Sequence, residues 1–81
     1  MSTLKVELHP SAESVTFTND EMIVALIDGR SISVPLAWFP TLSTATRAQL
    51  EHYELLGDGD GIHWPELDED LSIRGLLQGT H

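Results

Sequence analysis

Asp28-Gly29 is the strongest local signal in the sequence, because it stands between two apolar segments. A two-residue type I′ hairpin turn needs positive φ at both central residues, and Asp-Gly meets that requirement. Residues 22–27 are apolar on both faces, which is typical of a central strand covered on both sides, although so short a run also fits a buried helix. Residues 30–34 alternate apolar and polar side chains. The two segments are therefore predicted to form an antiparallel hairpin.

A further strand precedes this hairpin. Residues 14–18 place Val15 and Phe17 on one face and polar side chains on the other, which is the period of a half-buried strand. The next two residues, Asn and Asp, tolerate turn conformations. Three consecutive strands make an antiparallel meander, and residues 62–64 can add a short fourth strand before Pro65.

Helical signals follow the meander. Thr46 and Gln49 match a capping box, which predicts a helix over residues 47–55. Ser72 is a suitable N-cap for a second short helix over residues 73–78.

The order of these elements predicts an α+β fold, in which a three-stranded antiparallel meander carries two short helices on one face. A chain of 81 residues buries only roughly 60% of its unfolded surface, so we expect one domain over residues 1–81 with one core. Residues 1–12 and 80–81 are expected to be less ordered.

The charge of the chain excludes several classes of function. Thirteen Asp and Glu against four Lys and Arg give a formal charge of −9, whereas binding to nucleic acid or anionic membranes needs clustered cations. Without cysteine the chain has no disulfide, thiolate nucleophile or Cys-ligated metal. Neither a signal peptide nor a membrane-length apolar run is visible. We therefore expect a protein of the cytoplasm.

The acidity is concentrated in one segment. Residues 51–70 contain eight acidic residues and no Lys or Arg, which leaves only −1 for the rest of the chain. At separations of about 6 Å each pair of carboxylates costs about 0.7 kcal/mol in water. We interpret the segment as a surface for a basic partner protein; a solvated face and a divalent-cation site are the alternatives. The predicted partner-binding residues are Glu51, Glu54, Asp58, Asp60, Glu66, Asp68, Glu69 and Asp70.

Metal-binding and catalytic patterns are incomplete. Asp58 and Asp60 resemble the start of a calcium loop, but Ile62 and His63 follow where a carboxylate and a glycine are required. The histidines are His9, His52, His63 and His81. None has the spacing of a helical zinc site, and His63 is interpreted as a histidine whose pKa is set by neighbouring carboxylates. No serine lies in a nucleophile elbow, no phosphate loop is present, and 81 residues leave little room for a water-excluding pocket. Together with the incomplete metal patterns, this leads us to expect no enzyme activity, cofactor or metal.

Two tryptophans are candidate hydrophobic anchors. Aromatic residues of this kind usually belong to the core, but a partly exposed tryptophan near an acidic surface can provide much of the energy of an interface. The candidates are Trp38 and Trp64.

The C-terminal segment reads G-I-H-W-P-E-L-D-E-D-L-S-I-R-G-L-L from Gly61 to Leu77. It resembles the ending of a bacterial domain-of-unknown-function family, DUF2442. The D-G-R, V-P and W-F-P segments that begin at residues 28, 34 and 38 resemble the middle of that family, so the resemblance covers residues 14–79. Arg74 departs from the family pattern, which has a glutamate in this last helix.

This resemblance implies a small α+β domain and supplies no catalytic residues. Members of the family resemble one half of toxin–antitoxin gene pairs, which implies binding and neutralising another protein. In size and acidity the chain is also similar to phage anti-CRISPR proteins, several of which are acidic decoys. These resemblances imply that the cytoplasm is that of a bacterium or a phage-infected host cell.

Two main hypotheses about function follow. The first is a small, acidic, non-catalytic inhibitor that binds a basic nucleic-acid-binding protein, such as a subunit of a CRISPR complex, as a nucleic-acid decoy. The second is an antitoxin-like binding module, in which a tryptophan is the anchor and the acids form only the rim. A small enzyme or metal-binding protein is the third. In the first two the protein is expected to be a monomer that contacts neither nucleic acid nor membrane directly.

Overall fold

The computed structural model describes residues 11–79. His9, His81 and most of the residues predicted to be less ordered lie outside this range. Ala12 starts the first strand and is only 3% exposed. Ala12 pairs with Leu26, whose side chain is also buried, so apolar burial holds the beginning of this strand.

The predicted meander is confirmed. Its strands are Ala12–Phe17 (β1), Glu21–Leu26 (β2) and Ser31–Pro35 (β3), in the antiparallel order β1-β2-β3. The central strand, however, is fully covered on one face only, because Ile23 is half-buried. Its cross-strand neighbours are Thr16 and Ser33, and polar neighbours leave that face partly in contact with water.

The turn between β2 and β3 differs from the predicted type I′ turn. The N–H of Gly29 donates to the carbonyl of Leu26 at 3.1 Å, and the N–H of Leu26 donates to the carbonyl of Arg30 at 2.8 Å. Gly29 alone has positive φ in this turn, at 98°. This is a three-residue loop closed by a glycine bulge. Asp28 stabilises it by accepting hydrogen bonds from the backbone N–H and the guanidinium of Arg30, and these bonds lower the pKa of the Asp28 carboxyl.

The helices are short. A 3₁₀ turn at Leu36–Trp38 is followed by Pro40–Ser43 (α1), Arg47–Glu51 (α2) and Ile73–Gln78 (α3). The predicted bounds of α3 are confirmed, as is its cap, in which the Ser72 hydroxyl accepts from the N–H of Gly75 at 2.9 Å. Within the part of the chain that the structure describes, no helix is long and apolar enough to cross a membrane.

α2 begins as predicted but ends four residues early. Both hydrogen bonds of the capping box between Thr46 and Gln49 are present. Continuing the helix would require the carbonyl of Leu50 to accept from the N–H of Glu54. That carbonyl instead accepts from the indole N–H of Trp64 at 2.9 Å, and Glu54 begins a strand. The chain leaves the helix at His52, whose ψ is 64°, and the tertiary hydrogen bond satisfies a carbonyl that a longer helix would have used.

A second antiparallel sheet follows the helix and is absent from the sequence prediction. Its strands are Glu54–Leu56 (β4), Gly61–Trp64 (β5) and Glu69–Ser72 (β6), in the order β4-β5-β6. The predicted short strand at residues 62–64 is confirmed as β5, but it is the centre of this sheet rather than an addition to the meander. The fold class is α+β as predicted, with two three-stranded sheets and three short α-helices among residues 11–79.

A single hydrophobic core joins the two sheets and the helices. Its fully buried large side chains are Met22, Val24, Leu42, Ile62, Trp64 and Ile73. Backbone hydrogen bonds add to this connection: the N–H of Ala12 donates to the carbonyl of Gly59 at 2.8 Å, and the N–H of Ile73 donates to the carbonyl of Asp60 at 2.9 Å. The turn between β4 and β5 is thereby held against both β1 and α3.

Candidate functional site

The second sheet has one face in the core and one face away from it. Ile62 on the central strand is fully buried, whereas the neighbouring His63 is half-buried and points to the opposite side. We call this second side the outer face. Its strand residues are Glu54, Leu56, Gly61, His63, Asp70 and Ser72.

His63 lies between two carboxylates on the outer face. In the strand register it is opposite Glu54 on β4 and Asp70 on β6, and its Nδ1 is hydrogen-bonded to Asp70 Oδ1. The hydrogen bond to Asp70 is the main reason that the pKa of His63 is raised above 6.5, with further electrostatic contributions from Asp70, Glu54 and Asp68. The prediction that carboxylates set the pKa of this histidine is confirmed.

We expect the NMR titration of His63 in the folded protein to give a pKa above 6.5, and Asp70→Asn to bring it down towards that value. Because the folded-state pKa is raised, the stability that the pair contributes is fully present below pH 6.5 and is lost as the pH rises through the folded pKa. The difference in stability between the wild type and Asp70→Asn should therefore shrink at alkaline pH. A His63 pKa that does not change in the variant would contradict this assignment.

The eight predicted acids do not all share this face. Glu51 forms a salt bridge with Arg47 at 3.6 Å, and Arg47 also donates to the carbonyl of Phe17 on the first sheet. Glu66 pairs with His52 at 2.8 Å. The remaining acid on β6, Glu69, is opposite the buried Trp64 and alternates away from the outer face.

Four of the eight carboxylates converge on the outer face. Asp60 and Asp70 line the same groove, while Glu54, Asp68 and Asp70 all act electrostatically on His63. Asp68 reaches this position from the turn after β5, where its φ is 54°, a left-handed conformation that Asp tolerates better than most residues. We call these four residues, Glu54, Asp60, Asp68 and Asp70, the acidic face. Asp58 is exposed in the turn between β4 and β5.

No arginine among residues 11–79 forms a salt bridge with the acidic face. The salt bridges of these arginines run from Arg30 to Asp28 and from Arg47 to Glu51. The one titratable partner on the acidic face is His63, bonded to Asp70.

The structure separates the two candidate anchors. Trp64 has no exposed surface, so it is a core residue and not a contact for a partner. Trp38 is 41% exposed, and its ring packs edge-on against Phe39 with 6.5 Å between centroids. Only Trp38 is therefore positioned to contact another protein.

The calcium-like Asp58-x-Asp60 stretch is a tight turn. The N–H groups of Gly59 and Asp60 both donate to the carbonyl of Leu56, at 2.9 and 3.0 Å. Across residues 11–79, no three His, Asp or Glu side chains come together as a metal-binding group.

Leu56, Gly61 and the central position of His63 are members of the site that the sequence does not predict. The predicted helix over residues 47–55 includes Glu54 and ends before Leu56, whereas the structure places both residues on β4. Once these residues are placed on adjacent strands, the outer face follows from the period of two.

Comparison with known proteins is consistent with this fold. The model of the family described as protein of unknown function (DUF2442) matches residues 12–81. A crystal structure of a protein of unknown function from Rhodospirillum rubrum is 35% identical, with a TM-score of 0.79 over 90% of each chain. The solution structure of an uncharacterized protein from Chromobacterium violaceum is 27% identical, with a TM-score of 0.73 over 85% of this chain and 65% of that one. No curated protein matches. The chain belongs to the DUF2442 family.

Proposed function

We propose that this protein is a small non-catalytic inhibitor that binds a basic nucleic-acid-binding protein through the acidic face, in place of the nucleic acid. The observation that supports this most strongly is the convergence of Glu54, Asp60, Asp68 and Asp70 on one face without an Arg or Lys partner from residues 11–79. Holding like charges together costs stability, and a cationic surface offsets that cost on binding.

The acids form a row along β5. They stand at three levels: the turn before Gly61, the strand level of His63, and the turn after Trp64. A row of carboxylates presents repeated negative charge, as the phosphates of one DNA strand do. A protein that binds a phosphate row with Lys and Arg, such as a CRISPR effector subunit, is the class of target.

Removing charge from the acidic face should weaken binding. The test variant is Glu54→Gln/Asp60→Asn/Asp68→Asn, which keeps Asp70 and therefore the bond to His63. The probe is a fluorescent heptapeptide with arginine at its four odd positions and glycine between them, measured from about 50 to 200 mM salt. We expect at least tenfold loss of affinity at low salt and a shallower salt dependence, since three fewer charges face the cations.

The matched control is Glu13→Gln/Asp20→Asn/Glu21→Gln, which removes the same number of exposed carboxylates from the first sheet. If both triple variants lose affinity equally, binding follows net charge and the acidic face is not the site. The same two variants then serve in a low-salt and high-salt capture from a bacterial host lysate, to identify the natural partner.

The second candidate function is an antitoxin-like module, and the exposure of Trp38 favours it. Here the tryptophan provides most of the affinity and the acids surround it as a rim. Binding would then be nearly independent of salt, and Trp38→Ala would reduce it more than the acidic-face triple variant.

A further inference from the structure

The outer face contains a shallow groove of about 410 Å³ next to the central glycine of the sheet. It is lined by Leu56, Asp60, Gly61, Asp70, Leu71 and Ser72. A Cβ on Gly61 would lie 3.2 Å from the Leu71 carbonyl oxygen and 3.4 Å from Leu56 Cδ1, so the missing side chain lets Leu56 pack close to the strand. Gly61 is itself buried beneath Leu56, which therefore forms the apolar surface of the groove at this position.

The groove combines an apolar floor with two carboxylates. Leu56 is 42% exposed, which leaves much of its side chain available, and Asp60 and Asp70 stand on the same groove. Asp70 is hydrogen-bonded to His63 through Oδ1, so Oδ2 can accept from a ligand. A side chain that fits such a groove has an apolar stem and a cationic end, as Lys and Arg have.

Arginine suits a groove with an apolar floor and two carboxylates better than lysine does. Its planar guanidinium presents five N–H donors in a fixed fork and can bond two carboxylates at once, whereas an ammonium is a strongly hydrated point charge. Its three methylenes give the stem the length needed to cover an apolar floor while the head stays at the rim.

We infer that the groove binds one arginine side chain from an extended, basic segment of the partner, with its stem on Leu56 and its guanidinium between Asp60 and Asp70. This assignment rests on the proposed function. It adds to that function the type of partner side chain, arginine, that the acidic face binds. It makes part of the affinity depend on apolar contact and not on charge alone.

The test compares two peptides of equal charge. One is the heptapeptide with arginine at four positions; the other carries at those positions the short homologue with one methylene between the backbone and the guanidinium. We expect the wild-type protein to bind the arginine peptide about fivefold more tightly, because only the long stem reaches the apolar floor.

Two leucine variants test the position of the stem. Leu56→Ala removes the floor, while Leu77→Ala removes a leucine of similar exposure from α3, 39% against 42%. In Leu56→Ala the fivefold preference should disappear, and in Leu77→Ala it should persist. Thermal melting monitored by circular dichroism checks that both variants fold, and the comparison of peptides on the wild-type protein does not depend on either of them.

The outcomes separate this inference from the proposed function. Equal binding of both peptides to the wild type, with loss in the acidic-face triple variant, overturns the arginine site and leaves the proposed function standing. A preference that survives Leu56→Ala in a folded protein also overturns it. If neither peptide binds the wild type more tightly than the acidic-face triple variant, the arginine site and the proposed function are both overturned.

Discussion

Gly59→Ala is expected to lower the free energy of unfolding by about 3 kcal/mol or more, out of roughly 5–10 kcal/mol for a domain of this size. Gly59 has a φ of 96°, which disfavours any residue with a Cβ. A Cβ there would also lie 2.5 Å from the carbonyl oxygen and 2.8 Å from the nitrogen of Ala12. Both are backbone atoms of β1, so relief requires the strand to move and to lose its hydrogen bond to Gly59.

Gly29→Ala is the matched control for this prediction. Gly29 has nearly the same φ, 98°, but a Cβ there meets no atom within 4 Å. We expect it to cost only the backbone strain, about 1–2 kcal/mol. Urea denaturation followed by circular dichroism compares the two variants. Equal losses would mean that the approach of the β4–β5 turn to β1 contributes nothing, contrary to the packing described above.

Trp64→Ala is expected to cost about 3–5 kcal/mol, because it removes the largest fully buried side chain of the described core. Trp64→Phe should cost about 2–3 kcal/mol. It keeps an aromatic ring in the core but leaves the carbonyl of Leu50 without the indole N–H that bonds it at 2.9 Å.

Trp38→Ala is the comparison for the two Trp64 variants. Because Trp38 is 41% exposed, this substitution should lower the free energy of unfolding by about 1 kcal/mol or less. Urea midpoints from circular dichroism give the ranking, with Trp38 remaining as the fluorescent reporter in the Trp64 variants. A Trp64→Phe protein as stable as the wild type would show that the indole hydrogen bond does not hold the end of α2.

The elements that local sequence could predict are those whose signal is complete within a few residues. Three kinds of signal each specify their own element. Val15 and Phe17 alternate with polar residues, turn residues stand near Gly29, and caps at Thr46 and Ser72 begin two helices. Even there the turn type was wrong, because Asp-Gly suits both a two-residue turn and a three-residue loop with a glycine bulge.

The second sheet could not be predicted in the same way. β4 has three residues and β6 begins with Glu69 and Asp70, residue types that are depleted in strands. What stabilises these strands is long-range: the hydrogen bond of Trp64 to Leu50, and the burial of Ile62 between Leu55 and Leu71. Local propensity favours extending α2, and tertiary contacts overcome it.

The candidate site was predictable as a composition but not as a surface. The sequence shows eight carboxylates in residues 51–70, yet register and alternation decide which of them share a face. Four of the eight lie elsewhere: Glu51 in a salt bridge, Glu66 in a histidine contact, Glu69 at an inward strand position, and Asp58 in the turn between β4 and β5. The four acids of the acidic face come together because β4, β5 and β6 are adjacent. No short segment of the sequence encodes which strands are neighbours.

The most direct test of the acidic face is an NMR titration of the ¹⁵N-labelled protein with the arginine heptapeptide at about 50 mM salt. We expect the amide shifts to be concentrated at residues 54–56, 60–63 and 68–72, and to diminish strongly at about 200 mM salt. Shifts centred on residues 36–39 around Trp38, or spread evenly over the exposed acids of the first sheet, would contradict the account.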